Sequence, residues 1–140
     1  MTGTPEHPAA TPDARDDQGR RHGPWTDPDA HGGVMVGDYV DGLRHGRWRH
    51  LSANGRLRSQ GDYLDGELDG EWTWYRSNGR MMQRGRFRRG AKHGTWERWN
   101  SASEPLDRGS YDDDRKTGEW YSLNPDGSVK RVTRHMPRSR

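Results

Sequence analysis

The residues best suited to chemistry in this chain are its histidines and carboxylates. His22, His45 and His93 recur in step with Asp69 and Thr117, each immediately before a glycine. Imidazoles and carboxylates in a row are the raw material of a metal site. Asp112-Asp113-Asp114 raises calcium, but it lacks the ligand spacing and closing glutamate of an EF-hand loop. Asp65, Glu67, Asp69 and Glu71 raise general acid–base work, yet they fall in a very hydrophilic turn with no apolar pocket to shift a pKa. No Ser–His–Asp arrangement, phosphate loop or dinucleotide fingerprint is present. The absence of cysteine excludes disulfides, thiolate catalysis and sulfur-ligated metals.

Whether these groups converge depends on the elements that carry them, and those are set by a repeat. From Gly37, four ungapped blocks stack at a period of 24: residues 37–60, 61–84, 85–108 and 109–132. Position 1 is Gly37, Gly61, Gly85 and Gly109; position 3 is Tyr39, Tyr63, Phe87 and Tyr111. Position 10 is Gly46, Gly70, Gly94 and Gly118; position 12 is Trp48, Trp72, Trp96 and Trp120. His22-Gly23-Pro24-Trp25 is the trailing half of an earlier block, a half repeat over 21–36. Asp41-Gly42 and Asp65-Gly66 mark one turn, and Asn54-Gly55, Asn78-Gly79 and Asp126-Gly127 a second. Each block therefore reads as a β-hairpin, the second turn as a three-residue loop with glycine left-handed. No window has a 3.6-residue period.

The expected fold is all-β: an elongated, twisted, single-layer antiparallel meander over 21–132. Two strands per repeat place equivalent residues roughly 10 Å apart. Zinc donors lie about 2.0–2.1 Å from their metal, so the histidine column reads as a turn residue, and neither metal nor cofactor is expected. Residues 1–20, rich in Pro, Ala, Asp and Thr without periodicity, are expected to be disordered, as is the basic tail 133–140.

Composition limits the core. Hydrophobic residues are 26% of the chain and mean hydropathy is −1.43, with seven tryptophans and five tyrosines. A buried aromatic removes about 150–250 Å² from water, so a thin aromatic core is possible and a thick aliphatic one is not. On the first strand, Leu57, Ser59, Gly61 and Tyr63 should share a face, as should Met81, Gln83, Gly85 and Phe87. Trp at position 12 differs in parity from Leu51, Tyr75, Trp99 and Leu123 at position 15. A bulge near positions 13–14 would put both on one face; without one, the tryptophans lie on the opposite face.

Gly61-Asp62-Tyr63, Asp69-Gly70-Glu71-Trp72, Tyr75 and Asn78-Gly79 carry a G-x-Y…G-x-W…N-G pattern that resembles the MORN repeat, in the variant found in bacterial YwqK-type antitoxin proteins. The likeness covers about residues 20–132. It departs at Ser101-Ala102-Ser103-Glu104-Pro105, which replaces a turn, and at Asp114, which replaces a glycine. The resemblance implies an extended antiparallel sheet and a protein-binding role, in the YwqK-type group the neutralising of a toxin. Scaffolding, sometimes at membranes, is the wider MORN role.

A binding patch is sought where the chain breaks its own pattern. Position 14 is His50, Arg98 and Ser122 but Trp74 in the second block. A three-residue loop would set it opposite position 22, pairing Trp74 with Met82 and flanking them with His50 and Arg58 on one side and Arg98 and Leu106 on the other. An apolar pair rimmed by arginine is the form of an interface hot spot; the alternative is a tryptophan that packs on its neighbours or on Arg98. The first and third blocks are net positive and the second and fourth net negative. That alternation favours cross-strand complementarity over the continuous basic stripe of a nucleic-acid surface. The expected protein is thus non-catalytic, with a protein partner; self-association through open sheet edges or docking on anionic membrane is the second reading. With no apolar run of membrane-span length or signal-peptide type, the cytoplasm is the expected compartment.

Overall fold

A computed structural model describes residues 12–136, and every regular element in them is a strand. The strands are β1 (Ala14–Arg15), β2 (Arg21–Pro28), β3 (Val34–Val40), β4 (Leu43–Leu51), β5 (Leu57–Leu64) and β6 (Glu67–Tyr75). They continue as β7 (Met81–Arg88), β8 (Ala91–Trp99), β9 (Pro105–Asp112), β10 (Arg115–Leu123) and β11 (Val129–His135). Each pairs antiparallel with the next, giving one open eleven-stranded sheet in sequence order. This is the single-layer hairpin meander that the repeat specifies.

Both turn types follow the sequence. The β3–β4, β5–β6, β7–β8 and β9–β10 tips are two-residue turns with positive φ at both residues, which match the twist of a hairpin. Asp114 adopts the left-handed φ of 70° where its counterparts are glycine. Its carboxylate accepts the Lys92 amide of the neighbouring hairpin at 2.8 Å. The other tips are three-residue loops, with Gly55 N donating to Ser52 O and Ser52 N to Arg56 O, each at 2.8 Å. Asn100-Glu104 keeps that geometry without glycine. Ser103 takes φ 65°, and Asn100 Oδ1 accepts the amides of Ala102 and Glu104.

Two irregularities alternate along the repeats from β3 onward, one at the two-residue hairpins and one at the three-residue loops, whereas β2 and β3 pair without either. The first sets position 1 opposite three residues: Val36 pairs Arg49 and Asp38 pairs His45, so Gly37 faces Gly46-Arg47-Trp48. Gly46 takes a φ of 71° to make this detour. The second falls after the three-residue loop. Leu51 pairs Leu57 but His50 pairs Ser59, which leaves Arg58 as an extra residue. Met82, Leu106 and Lys130 are extra in the same way.

These positions correct three expectations. The bulge is not at positions 13–14, so the tryptophans and position 15 occupy opposite faces. Leu57 and Met81 pair with Leu51 and Tyr75 and leave the face of Gly61 and Gly85. Trp74 faces Gln83, not Met82. The loop has the three residues expected of it; the additional bulge shifts the register by one.

Strand structure also extends past both bounds of the 21–132 that the repeat predicts. Residues 12–20 carry β1 and a three-residue loop closed by Asp16 N to Arg20 O at 2.8 Å. Trp25 Nε1 donates to Ala14 O, the bond each later tryptophan makes within its own repeat. The half repeat is therefore a whole one, with Asp13-Ala14-Arg15 standing for Gly-x-Tyr. At the other end Thr133, Arg134 and His135 belong to β11. Residues 1–11 and 137–140 of the two expected disordered segments lie outside the described residues.

The core is a row of rings. Tyr39, Trp48, Trp72, Trp96 and Trp120 are its buried apolar residues, and Trp48 is 0% exposed. Each indole lies on the position-1 glycine of the preceding strand. A Cβ at Gly37, Gly61, Gly85 or Gly109 would come within 2.0–2.3 Å of the ring. Each indole N–H donates to the position-2 carbonyl at 2.9–3.1 Å, where the first bulge interrupts the ladder. Four aromatics buried on glycine thus do what aliphatic residues do elsewhere, so a chain with few aliphatic residues still folds.

Candidate functional site

The aromatic face is built by alternation: positions 1, 3, 12 and 14 point to it. Its rings form one continuous edge-to-face series from Trp25 through Tyr39, Trp48, Tyr63, Trp72, Phe87, Trp96, Tyr111 and Trp120 to His135. Centroids are 5.1–6.4 Å apart, the spacing at which ring edges meet ring faces. Tyr39, Tyr63, Phe87 and Tyr111, with the four buried tryptophans, are thus the structural residues that the sequence pattern marks.

A column missed in the sequence covers this series. Four residues before Trp25, Trp48, Trp72, Trp96 and Trp120 stand Arg21, Arg44, Leu68, Lys92 and Lys116. Arg21 lies 4.6 Å from the Trp25 centroid and Arg44 4.4 Å from that of Trp48. Lys92 lies 4.8 Å from Trp96, and Lys116 4.6 Å from Trp120. A cation over an indole face is held by the ring quadrupole. The exception is Leu68, in the same register opposite Tyr63 that Arg44 holds opposite Tyr39. The signal was legible as a basic residue at a fixed distance from Trp, broken once.

That break coincides with two others. The repeat with Leu68 is also the one with Trp74 at position 14, and its next ring is Phe87, without a hydroxyl. Trp74 lies tilted on Trp72 and Trp96, at 6.2 and 5.5 Å, with Phe87 at 6.1 Å. Leu68, Trp74 and Phe87 are each half-buried. The centre of the face is therefore an uncharged platform between cation-covered flanks.

The other predicted site residues do not gather around Trp74. His50 and Arg58 line a hollow of about 450 Å³ with Asp29, His31, Arg56 and Ser77. There His50 Nε2 donates to Asp29 Oδ2 at 2.7 Å. That bond, with the amides of His31 and Gly33 on Oδ1, holds the Asp29 carboxyl down at about 2. The Ser52 hydroxyl in this hollow is engaged by Asn54, not His50. Arg98 does not lie over Trp74; it grips Asp107 with Nε and Nη2 at 2.6–3.2 Å. Met82 and Leu106 sit on the extra bulge residues, Leu106 being 36% exposed.

Charge on the opposite face is paired in part. Arg47–Asp62, Arg84–Glu97 and Arg134–Glu119 are cross-strand ion pairs at 3.2, 2.8 and 3.1 Å. Of these, Arg47–Asp62 joins a net-positive block to a net-negative one, whereas Arg84–Glu97 takes its cation from the net-negative block, so the pairs tie neighbouring strands without following the block charges.

No family model matches the chain, and no curated protein matches it. Among solved structures, a crystal structure of a GtfA/B complex bound to UDP and GlcNAc is similar to it at 17% identity and a TM-score of 0.41. The match covers 76% of this chain and 25% of that one, so the chain spans a quarter of that protein's length. No helix in the described residues is long and apolar enough to cross a membrane.

Proposed function

We propose that the chain is a non-catalytic β-repeat module that works by binding another protein, in the manner of an antitoxin or immunity protein in a bacterial cytoplasm. The observation that carries this reading is the uncovered centre of the aromatic face. Every other repeat lays a cation over its tryptophan; the second lays Leu68 there and adds Trp74. Aromatic residues half-exposed on a rigid sheet, rimmed by cations, are the composition of interface centres. The MORN-like pattern supports a binding role, and its YwqK-type variant supports neutralisation of a partner.

The test is co-expression with the toxin-like product of a neighbouring reading frame. Leu68→Arg with Trp74→Ser restores the cation and polar residue of the other repeats. That variant should keep the melting temperature within a few degrees and lose both growth rescue and co-purification. Undiminished rescue by a folded variant would discard the platform.

A second reading has its own observation. β11 is an open edge with Val129 and Val132 exposed at 45% and 46%, whereas β1 is two residues long. Unpaired strands template further pairing, so self-association through β11 is the alternative. Light scattering showing a monomer at all concentrations removes it.

A further inference from the structure

The flank of the platform formed by the third and fourth repeats differs from the rest of the face in its uncommitted charge. Lys92 lies over Trp96 and, at 4.9 Å, over Tyr111; Lys116 lies over Trp120. Among the described residues neither ammonium has a carboxylate within ion-pair distance. They border a hollow of about 330 Å³ whose wall includes Gln83, Arg98, Asp107 and Tyr111. Asp107 is the one carboxylate there, and Arg98 neutralises it with a two-pronged contact. The hollow therefore keeps the charge of two lysines.

We infer that this hollow receives the carboxylates of an acidic segment of the partner protein, whose apolar anchor sits on Leu68, Trp74 and Phe87. The inference rests on the protein-binding reading above and adds the partner's chemistry. Lys92 and Lys116 are one repeat, roughly 10 Å, apart, a span that side chains two or three residues apart in an extended chain can bridge. The platform is the next repeat along the same face, so anchor and acid must be separated by a similar distance. Ammonium groups resting on rings are already partly desolvated and ordered, which lowers the cost of pairing them with a carboxylate. A nucleic acid fits less well. It needs a continuous basic stripe, whereas the centre of this face is apolar and the far flank carries a neutralising acid.

The experiment titrates the full chain, by tryptophan fluorescence, with a peptide of about ten residues carrying Phe-Leu followed three residues later by Glu-Asp-Glu. Its counterpart carries Gln-Asn-Gln. The acidic peptide should bind at least about tenfold more tightly, and the advantage should shrink as salt rises. Lys92→Met with Lys116→Met keeps aliphatic stems over the rings and removes the charge; it should erase the advantage. Arg49→Glu, on the opposite face, should leave it intact. Equal affinity for both peptides, no binding of the acidic one, or an advantage that survives the double Met variant overturns the inference. So does displacement of the peptide by an oligothymidylate or by phosphatidylserine vesicles at lower concentration than the peptide itself. The binding reading is judged separately by growth rescue. Rescue that fails with Leu68→Arg and Trp74→Ser but survives the double Met variant keeps the platform and removes the acidic partner.

Discussion

The two ends of the aromatic face use the same scaffold and place their cations differently. At the N-terminal end Arg21 and Arg44 converge on Asp27, at 3.3 and 3.2 Å, and the Tyr39 hydroxyl donates to the same carboxylate at 2.6 Å. Arg44 also reaches the Tyr63 hydroxyl at 3.3 Å. At the C-terminal end Lys92 and Lys116 hold the equivalent stations and meet no acid among the described residues. Asp27 and Arg98 occupy the same position 14 in their repeats, so a single column decides whether the cations are closed off or left for a ligand. Positions 1, 3 and 12 build the sheet; positions 8 and 14 decide what it presents.

The largest effect should come from testing the part that both ends share. Gly37→Ala and Gly109→Ala would each drive a Cβ to within 2.1–2.3 Å of an indole. Backbone and ring must then part, and the cost expected for such overpacking is about 2–3 kcal/mol or more. Thermal melts should fall by roughly 10 °C in both variants, given about 4 °C per kcal/mol for a domain of this size. A drop confined to Gly37→Ala would mean that the C-terminal rings are not seated as described, and the comparison would lose its common scaffold.

Asp27→Ala tests the difference itself. Removing an acceptor shared by two guanidiniums and a phenol should cost about 1–3 kcal/mol, since bonds to a charged group exceed neutral ones. It should also convert the N-terminal end into a copy of the other, with two free cations over tryptophan. Acidic-peptide titration of Asp27→Ala should then reveal a second site, while Lys92→Met leaves the new site untouched. If the variant loses stability and gains no site, charge availability is not what separates the two ends.

The sequence made the scaffold legible because glycine and tryptophan recurring at a period of 24 suit a stack of hairpins and little else. It named the hairpins, both turns and the eight structural rings by position. It failed where identity and geometry part company. Asp13-Ala14-Arg15 completes the first repeat with neither the glycine nor the tyrosine that a pattern search seeks. The extra residues Arg58 and Met82 come from a bulge that turn chemistry does not announce, and one residue of slippage replaced Met82 by Gln83 opposite Trp74. The candidate site was half legible. Trp74 stood out as an apolar break in a polar column, but Leu68 looked ordinary until the cations at its equivalents were seen lying on rings. A leucine in a strand carries no message; a leucine where four other repeats place a cation does.

The smallest effect expected is in acid, and it bears on the N-terminal end alone. Hydrogen bonding to His50 and to two amides lowers the Asp29 carboxyl from 3.8 to about 2. A carboxyl depressed in the folded state stabilises above its unfolded value, and that contribution disappears as pH falls through the folded one. Wild type should therefore melt a little higher than Asp29→Asn at pH 5, and the gap should close between about pH 4 and pH 2. Melts of the two proteins across that range, at one salt concentration, measure the difference. A gap between wild type and Asp29→Asn that is unchanged at pH 2 would mean the His50–Asp29 tie adds nothing to folding, leaving the Asp27 cluster as the closure of that end.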